Sequence, residues 1–303
     1  MIYIPLRNCL SFPQDRRELS FDITFSLVSV IFYHTFHIFN KGEDHKFMNN
    51  TKVFLFASLN DSQNVSKITR NCTFFNYYID KNGLLRKRTA NPGNMSGLMY
   101  LSDYGIDNYK ELDIPRLSMD ILSECRSRRY SGIFLDFENR QSIELLRNIG
   151  MLVMRNGITV FIPVAFAGCV QNAKLVVPSA ISGGSFEQML REYKTKYGAE
   201  NLCLDIIRTC QDFTMPSYMP EGKNLSDEEF DALMNEHSPS SFFSKDLCSK
   251  YFTYRCDGEY HFVIYDDAST AISKLEIADS LRFYAAFILY SDFGDDAKYI
   301  LNR

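Results

Sequence analysis

Ser131-Gly-Ile-Phe-Leu-Asp-Phe-Glu138 (SGIFLDFE) is the segment of the sequence that decides the fold. It is apolar almost throughout until two carboxylates appear at its end, a pattern typical of a buried strand in a parallel sheet. Side chains alternate along a strand, so the face that begins at Ile133 is wholly apolar. The opposite face begins at Phe134 and becomes acidic at Asp136 and Glu138. We therefore predict a strand that delivers two carboxylates to one site.

Other short apolar runs in the chain resemble this strand and bring the number of predicted strands to eight. They are Val53 to Ser58, Phe74 to Ile79, Gly97 to Ser102, Thr159 to Ala165, Lys174 to Ser179, Leu202 to Ile207 and Tyr284 to Tyr290. Helical periodicity fills several intervals between them, as at 117–125, 143–153 and 186–197, where Gly198 is a plausible C-cap. Alternating strands and amphipathic helices favour an α/β fold with a parallel sheet.

The segment from Met48 to Arg303 has the length of a single (β/α)8 barrel (TIM barrel), which typically takes roughly 250 residues. The interval before the last strand is longer than the others. It contains a helical piece at 225–234 and a hairpin pattern around Asp257-Gly258. We predict one barrel domain over 48–303 with an insertion at about 216–265.

Residues 1–47 are predicted to form an N-terminal extension. The stretch from Ile23 to Phe39 is strongly apolar, as in a signal peptide, but it contains His34 and His37 and no small-residue cleavage site follows it. It is also short for a bilayer span. These features favour a peripheral helix or an upstream extension over a membrane anchor, and we expect no membrane association.

Composition excludes several classes of function. The formal net charge is -4, and no long run of Lys or Arg provides a nucleic-acid surface. The eight cysteines include no C-x-x-C pair, which argues against a zinc site and against a disulfide framework. Free thiols fit a reducing compartment, so a cytoplasmic location is expected, with a secreted or a spore- or cell-wall-associated location as the alternative.

The two carboxylates of the strand are candidates for acid catalysis, because the carboxyl ends of barrel strands carry the catalytic groups of barrel enzymes. Charges about 6 Å apart repel by roughly 3 kcal/mol at an effective dielectric of ~20. Such repulsion can keep one carboxyl protonated near neutral pH. We expect Glu138 to be the protonated acid and Asp136 its charged neighbour. The alternative is that Glu138 forms an exposed ion pair, for example with Arg140, and that Asp136 has a structural role.

A few further residues could contribute to a binding site. Tyr78 and Tyr290 fall at predicted strand ends, where an aromatic ring could stack on a sugar, and Asn76 shares the face of Tyr78. Asp205 alternates with apolar neighbours, which favours a structural hydrogen bond and a substrate contact about equally.

On these residues the sequence resembles glycoside hydrolase family 18, the chitinase and endo-β-N-acetylglucosaminidase family, whose signature on the fourth barrel strand is D-G-x-D-x-D-x-E. Ser131 to Glu138 aligns with it without gaps. The resemblance covers most of 48–303 and is nearest the spore-cortex hydrolase branch, through Asn76-Tyr-Tyr-Ile-Asp-Lys-Asn-Gly83 and the segments His261 to Asp267 and Tyr284 to Gly294.

The resemblance implies a (β/α)8 barrel that hydrolyses a β-linked N-acetylhexosamine polymer or oligosaccharide, of the chitin or peptidoglycan type, without a metal or organic cofactor. Glu138 protonates the leaving oxygen, the acetamido oxygen of the substrate attacks the anomeric carbon, and Asp136 orients that acetamide. Tyr290 takes the place of the family's tryptophan beneath the sugar. The family's acetamide-binding tyrosine is missing from the sixth strand, and Tyr218 could replace it.

This sequence departs from the signature at Ser131 and Phe134, which replace two aspartates, and the chain contains no tryptophan. A catalytically weak or inactive glycan-binding barrel is therefore the runner-up. An unrelated barrel enzyme that shares only a D-x-E strand is a third alternative.

Overall fold

The computed structural model describes residues 51–88, 97–181, 183–216 and 222–303. The predicted extension at residues 1–47 therefore lies outside the described residues, as does Tyr218.

Among the described residues, the largest element of the fold is a central sheet of ten strands. Its strands in chain order are β1 (Lys52–Ala57), β2 (Cys72–Phe74), β3 (Tyr77–Ile79), β4 (Leu85–Lys87), β5 (Leu98–Ser102), β6 (Gly132–Asp136), β7 (Thr159–Pro163), β8 (Lys174–Pro178), β9 (Leu202–Ile206) and β15 (Ala285–Leu289). Every pairing is parallel except that of β3 with β4. The predicted strands are thus present, and the α/β barrel class is confirmed.

The second barrel strand is split into two pieces, although the apolar run from Phe74 to Ile79 predicted one strand. β2 pairs with β1 at one end of the sheet, and β3 pairs with β5 at the other. The backbone N–H of Leu98 donates to Oγ1 of Thr73 at 3.2 Å across this seam. Gly97 permits the approach, because a Cβ there would lie 1.7 Å from the carbonyl oxygen of Cys72. The sheet therefore curls round on itself at β2 and β3.

Helices cover the outside of the sheet at most crossovers. They are α1 (Ser62–Ile68), α2 (Ile114–Ser127), α3 (Ile143–Arg155), α4 (Phe186–Tyr197), α6 (Ala268–Leu281), α7 (Tyr290–Phe293) and α8 (Ala297–Leu301), with α5 (Asp227–His237) in the insertion. Asp113 caps α2 by accepting the backbone N–H of Arg116, and α4 ends at Gly198, which has φ +80°. After β7, a 3-10 turn over Val164–Phe166 takes the place of a helix.

The insertion before the last barrel strand is an antiparallel sheet of five strands, covered by α5. Its strands are β10 (Cys210–Met215), β11 (Lys223–Asn224), β12 (Phe242–Ser244), β13 (Ser249–Cys256) and β14 (Glu259–Tyr265). The predicted hairpin joins β13 and β14, and both Asp257 and Gly258 have the positive φ that a two-residue turn requires. The sheet begins at Cys210, earlier in the chain than predicted.

A buried ion pair attaches the insertion to the barrel. Nζ of Lys274 on α6 lies 2.8 Å from Oδ2 of Asp266, and both side chains are at most 2% exposed. Asp266 also accepts the hydroxyl of Ser249 and the backbone N–H of Thr209. The next residue, Asp267, caps α6 by accepting the backbone N–H of Thr270.

Within the described ranges, no helix is long and apolar enough to cross a membrane. The seven cysteines in these ranges are all free thiols.

Candidate active site

β6 places its side chains on two faces of different chemistry, as the sequence predicts. Ile133, Leu135 and Phe137 are at most 1% exposed and belong to the hydrophobic core beneath the helices. On the inner face, Phe134 is buried and Asp136 is 6% exposed. Glu138 follows the strand and is exposed to solvent. The strand thus carries one buried and one exposed carboxyl group at its carboxyl end.

Aromatic rings fill the barrel interior below Asp136. The ring of Phe134 lies 5.1 Å from that of Phe287 and 5.2 Å from that of Phe56, and it stacks on Tyr100 at 6.1 Å with an interplanar angle of 23°. Phe161 extends the layer by packing against Phe287 at 5.5 Å. Because these rings exclude water, the floor under Asp136 is apolar.

Asp136 lies in a cluster of polar groups above these rings. The hydroxyl of Tyr100 donates to Oδ2 of Asp136 at 2.7 Å. The pKa of Asp136 is raised to about 8, and burial is the largest cause of the rise. The hydrogen bond from Tyr100 opposes the rise, and the negative charges of Glu138, Asp205 and Asp103 add to it. Asp136 is therefore mostly protonated at neutral pH.

The sequence-based assignment of protonation states is thus wrong for Asp136. It treated Asp136 as the charged neighbour, on the argument that Glu138 takes up the proton shared by a repelling pair. Desolvation outweighs that repulsion in the structure, and it acts on Asp136 because this residue is the buried member of the pair. The proton is thus held on the inner carboxyl.

Tyr100 and Ser102 form the polar neighbourhood of Asp136 on the next strand. β5 and β6 are paired so that Tyr100 lies opposite Phe134, and Ser102 lies opposite Asp136. Ser102 also hydrogen-bonds Tyr100, whose pKa is raised well above its usual value by burial and by the charge of Asp136. The phenol therefore stays neutral and remains a donor to Asp136.

The structure places Tyr78 in the same row of the sheet as Asp136. Tyr78 pairs with Ser102, which pairs with Asp136, so Tyr78 is two strand spacings away, about 10 Å. The ring is half-buried, and the guanidinium of Arg88 lies 5.6 Å from its centre. Asn76, at the break before β3, is 2% exposed and accepts the backbone N–H of Arg88 at 2.9 Å.

Asp205 is on the inner face of β9. Its neighbours Leu204 and Ile206 belong to the outer core, and the charge of Asp205 acts on Asp136. Asp205 is half-buried and pairs in register with Phe287 on β15 and Pro178 on β8. The structure therefore brings Asp205 to the same group of carboxylates as Asp136 and Glu138.

The predicted position of Tyr290 at the inward end of the last strand is wrong. β15 ends at Leu289, and Tyr290 is the first residue of α7. Its ring belongs to the outer core, and its hydroxyl donates to Oδ1 of Asp295 at 3.3 Å. Leu289 shares the inner face with Phe287, because side chains alternate along the strand. Tyr290 therefore packs on the helix side of the sheet.

The described residues contain no group of three or more His, Cys, Asp or Glu side chains that could hold a metal ion. The side chains of the cluster carry carboxyl, phenol and hydroxyl groups, as in Asp136, Tyr100 and Ser102. A neutral buried carboxyl beside an exposed one can donate a hydrogen bond to a substrate while its neighbour transfers a proton.

The sequence matches no protein-family model. It also matches no curated protein sequence. Solved structures do match. A chitinase from Chromobacterium violaceum has a TM-score of 0.61 at 13% identity, over 82% of this chain and 98% of that one. The chain has the fold of a chitinase.

Other solved structures share this chitinase fold. The spore cortex-lytic enzyme SleL of Bacillus cereus has a TM-score of 0.60 at 13% identity, over 84% of this chain and 74% of that one. A GH18 chitinase from Cycas revoluta, in complex with (GlcNAc)4, has a TM-score of 0.58 at 12% identity, over 83% of this chain and 98% of that one. At these identities the similarity establishes the chitinase fold.

Sequence reasoning missed three residues of this site: Tyr100, Ser102 and Asp103. The signal was available in part, because Asp103 directly follows a predicted strand, as Glu138 does, and strand ends carry the functional groups of a barrel. The contact between Tyr100 and Asp136 depends on the register of β5 against β6, which the sequence alone does not define.

Proposed function

We propose that this protein is a glycoside hydrolase that cleaves β-linked N-acetylglucosamine-containing glycans of the chitin or peptidoglycan type. The observation that carries the proposal is the difference between Asp136 and Glu138 at the carboxyl end of a barrel strand. Asp136, the last residue of β6, is buried and neutral, and Glu138, just after it, is exposed. The fold shared with chitinases supports it, and the (GlcNAc)4 in one of those structures supports an N-acetylglucosamine oligomer as the ligand.

In the proposed reaction Glu138 takes up a proton from solvent when the glycan binds and donates it to the glycosidic oxygen as the bond to the anomeric carbon breaks. The acetamido oxygen of the substrate attacks the same carbon, so the substrate supplies its own nucleophile and the configuration is retained. Asp136 orients the acetamide through its neutral carboxyl, which Tyr100 holds in place. Glu138 then takes a proton from the water that opens the cyclic intermediate.

A binding role with little turnover is the second candidate, and Phe134 is the observation that favours it. Phe134 is 3% exposed and packs against three rings, at a position where the signature has an acidic residue. Asp136 consequently has a ring, and not a second carboxyl, beneath it. Such a barrel would bind the glycan without efficient cleavage.

The test compares the full chain with Glu138→Gln on a chromogenic N,N'-diacetylchitobioside and on purified peptidoglycan. Loss of a general acid typically lowers the rate by roughly 10²- to 10⁴-fold, and we expect a loss of that size. Glu144→Gln is the matched control, because Glu144 is an exposed glutamate in the first turn of α3. It should leave turnover unchanged.

Three outcomes separate the candidates. Turnover that Glu138→Gln abolishes and Glu144→Gln leaves intact supports the hydrolase. Saturable glycan binding without turnover supports the binding role. Neither turnover nor binding overturns both, and the protein would then be a barrel of different chemistry.

A further inference from the structure

The backbone that carries Glu138 is held by a carboxylate from the neighbouring strand. Asp103 directly follows β5 and is 4% exposed. Its Oδ1 accepts the backbone N–H of Glu138 at 3.2 Å, and its Oδ2 accepts that of Asn139 at 3.3 Å. The hydroxyl of Tyr109 donates to the same Oδ2 at 2.8 Å. A single side chain thus binds two consecutive amides at the point where β6 becomes a loop.

We propose that Asp103 is a positioning residue for Glu138. By binding the backbone after β6, it fixes the position and the direction of the Glu138 side chain. The inference rests on the proposed hydrolase function. It adds that a residue at the end of the neighbouring strand, β5, determines the orientation of Glu138.

Geometry supports this role in two ways. Glu138 lies past the last residue of β6, and Asp103 on the neighbouring strand end accepts its backbone N–H. Two acceptor oxygens on two successive amides also fix the orientation of the peptide plane between them. Because an error of about 1 Å in the placement of a catalytic group can cost about 100-fold in rate, such a support has a kinetic consequence.

Asp103 also contributes charge to the site. Burial raises the pKa of Asp103, whereas the Tyr109 hydroxyl and the two amides lower it. Its carboxylate faces Glu138, and it acts together with Glu138 and Asp205 to raise the pKa of Asp136, which Tyr100 lowers. Removal of the Asp103 charge should therefore lower the pKa of Asp136, an effect that a purely structural role would not produce.

The test uses Asp103→Asn, in which one carbonyl oxygen can accept one amide while the side-chain NH2 faces the other. We expect kcat on the chromogenic diacetylchitobioside to fall by about 10- to 100-fold with KM within about twofold. The pKa of Asp136, followed by carboxyl NMR, should fall, and hydrogen exchange at the amides of Glu138 and Asn139 should become faster. Tyr109→Phe, which leaves both amide contacts, should lower kcat less.

Asp279→Asn is the matched control. Asp279 is a partly buried carboxylate that pairs with Arg303 at 2.9 Å, and it lies in the last turn of α6, near the amino ends of the strands. It should leave kcat and the pKa of Asp136 unchanged even where it lowers the thermal midpoint.

The outcomes keep the two hypotheses separate. If the wild type turns over and Asp103→Asn keeps kcat within twofold, the positioning role is overturned and the hydrolase stands. If the wild type shows no turnover, the hydrolase fails. The hydrogen-exchange measurement then tests the positioning role by itself. Faster exchange at the amides of Glu138 and Asn139 in Asp103→Asn supports that role, and unchanged protection overturns it.

Discussion

The inner face of the barrel has two layers of opposite chemistry, and β6 contributes to both. Phe134 belongs to a layer of aromatic rings, in which Phe287 has four neighbouring rings at 5.1 to 5.7 Å. Two residues further on, Asp136 belongs to a layer of carboxyls at the strand ends. Burial stabilises a large apolar side chain by roughly 1.5–3 kcal/mol, whereas it penalises a charged carboxyl. The same exclusion of water therefore packs one layer and protonates the other.

Burial is the largest cause of the raised pKa of Asp136 and outweighs the neighbouring charges, and the apolar layer is part of what buries this carboxyl. Substitutions in the ring layer should therefore change both the free energy of unfolding and the pKa of Asp136.

Phe287→Ala should have the largest effect. Phe287 is 0% exposed, so its truncation leaves a cavity in the ring layer and should lower the free energy of unfolding by about 3–5 kcal/mol. Water that enters the cavity would also lower the pKa of Asp136. Urea denaturation measures the first effect and carboxyl NMR the second.

Tyr299→Ala is the control for this prediction. Tyr299 is 67% exposed, and its truncation should change stability by no more than about 0.5 kcal/mol. A cost below about 1.5 kcal/mol for Phe287→Ala would contradict the view that the rings form a close-packed layer.

Asp136→Asn should change how stability depends on pH. The folded pKa of Asp136 is about 8, against about 3.9 for an unfolded Asp. Its stabilising contribution is therefore fully present below pH 4 and is lost as the pH rises to 8. Relative to wild type, Asp136→Asn should gain stability steadily between pH 4 and 8, by a few kcal/mol in total, and no more above pH 8. Denaturation at several pH values measures the difference.

Glu124→Gln provides a control of opposite sign. Hydrogen bonds from Tyr77 and Arg128 lower the pKa of Glu124, against the effect of its burial. Its contribution is present above the unfolded pKa and is lost as the pH falls. A flat difference between Asp136→Asn and wild type across pH 4 to 8 would show that Asp136 is charged throughout.

The strands were predictable because a buried parallel strand leaves a distinctive apolar run in the sequence. The break between β2 and β3 at Phe75-Asn76 was not predictable, because the apolar run from Phe74 to Ile79 continues through it. Tyr290 was misplaced for a related reason: alternation holds only while the strand continues, and α7 begins at Tyr290 itself.

The two carboxylates were found from spacing alone, but their protonation was not. Spacing along β6 gives the distance between Asp136 and Glu138, whereas the pKa of Asp136 depends on the rings that other strands place beneath it. Its partner Tyr100 depends likewise on the register of β5. The protonation of Asp136 and its hydrogen bond thus depend on contacts between strands that are distant in the sequence.

Tyr100→Phe should have the smallest effect of the three and is the most specific. It removes the hydroxyl that donates to Asp136 at 2.7 Å, so the pKa of Asp136 should rise. A hydrogen bond to a neutral partner contributes about 1 kcal/mol and one to a charged partner about 1.5–3 kcal/mol. The loss of stability should therefore be larger at pH 9.5 than at pH 6.

Tyr77→Phe distinguishes this coupling from the loss of any buried hydroxyl. Tyr77 is also buried, and its hydroxyl donates to Glu124 at 2.7 Å on the outer side of the sheet. The pKa of Glu124 is lowered, so this acceptor is charged at both pH values and the cost should be equal at both. Equal costs for Tyr100→Phe at pH 6 and pH 9.5 would mean that Asp136 does not change its charge between them, and the contrast between the ring layer and the carboxyl layer would then lose its electrostatic basis.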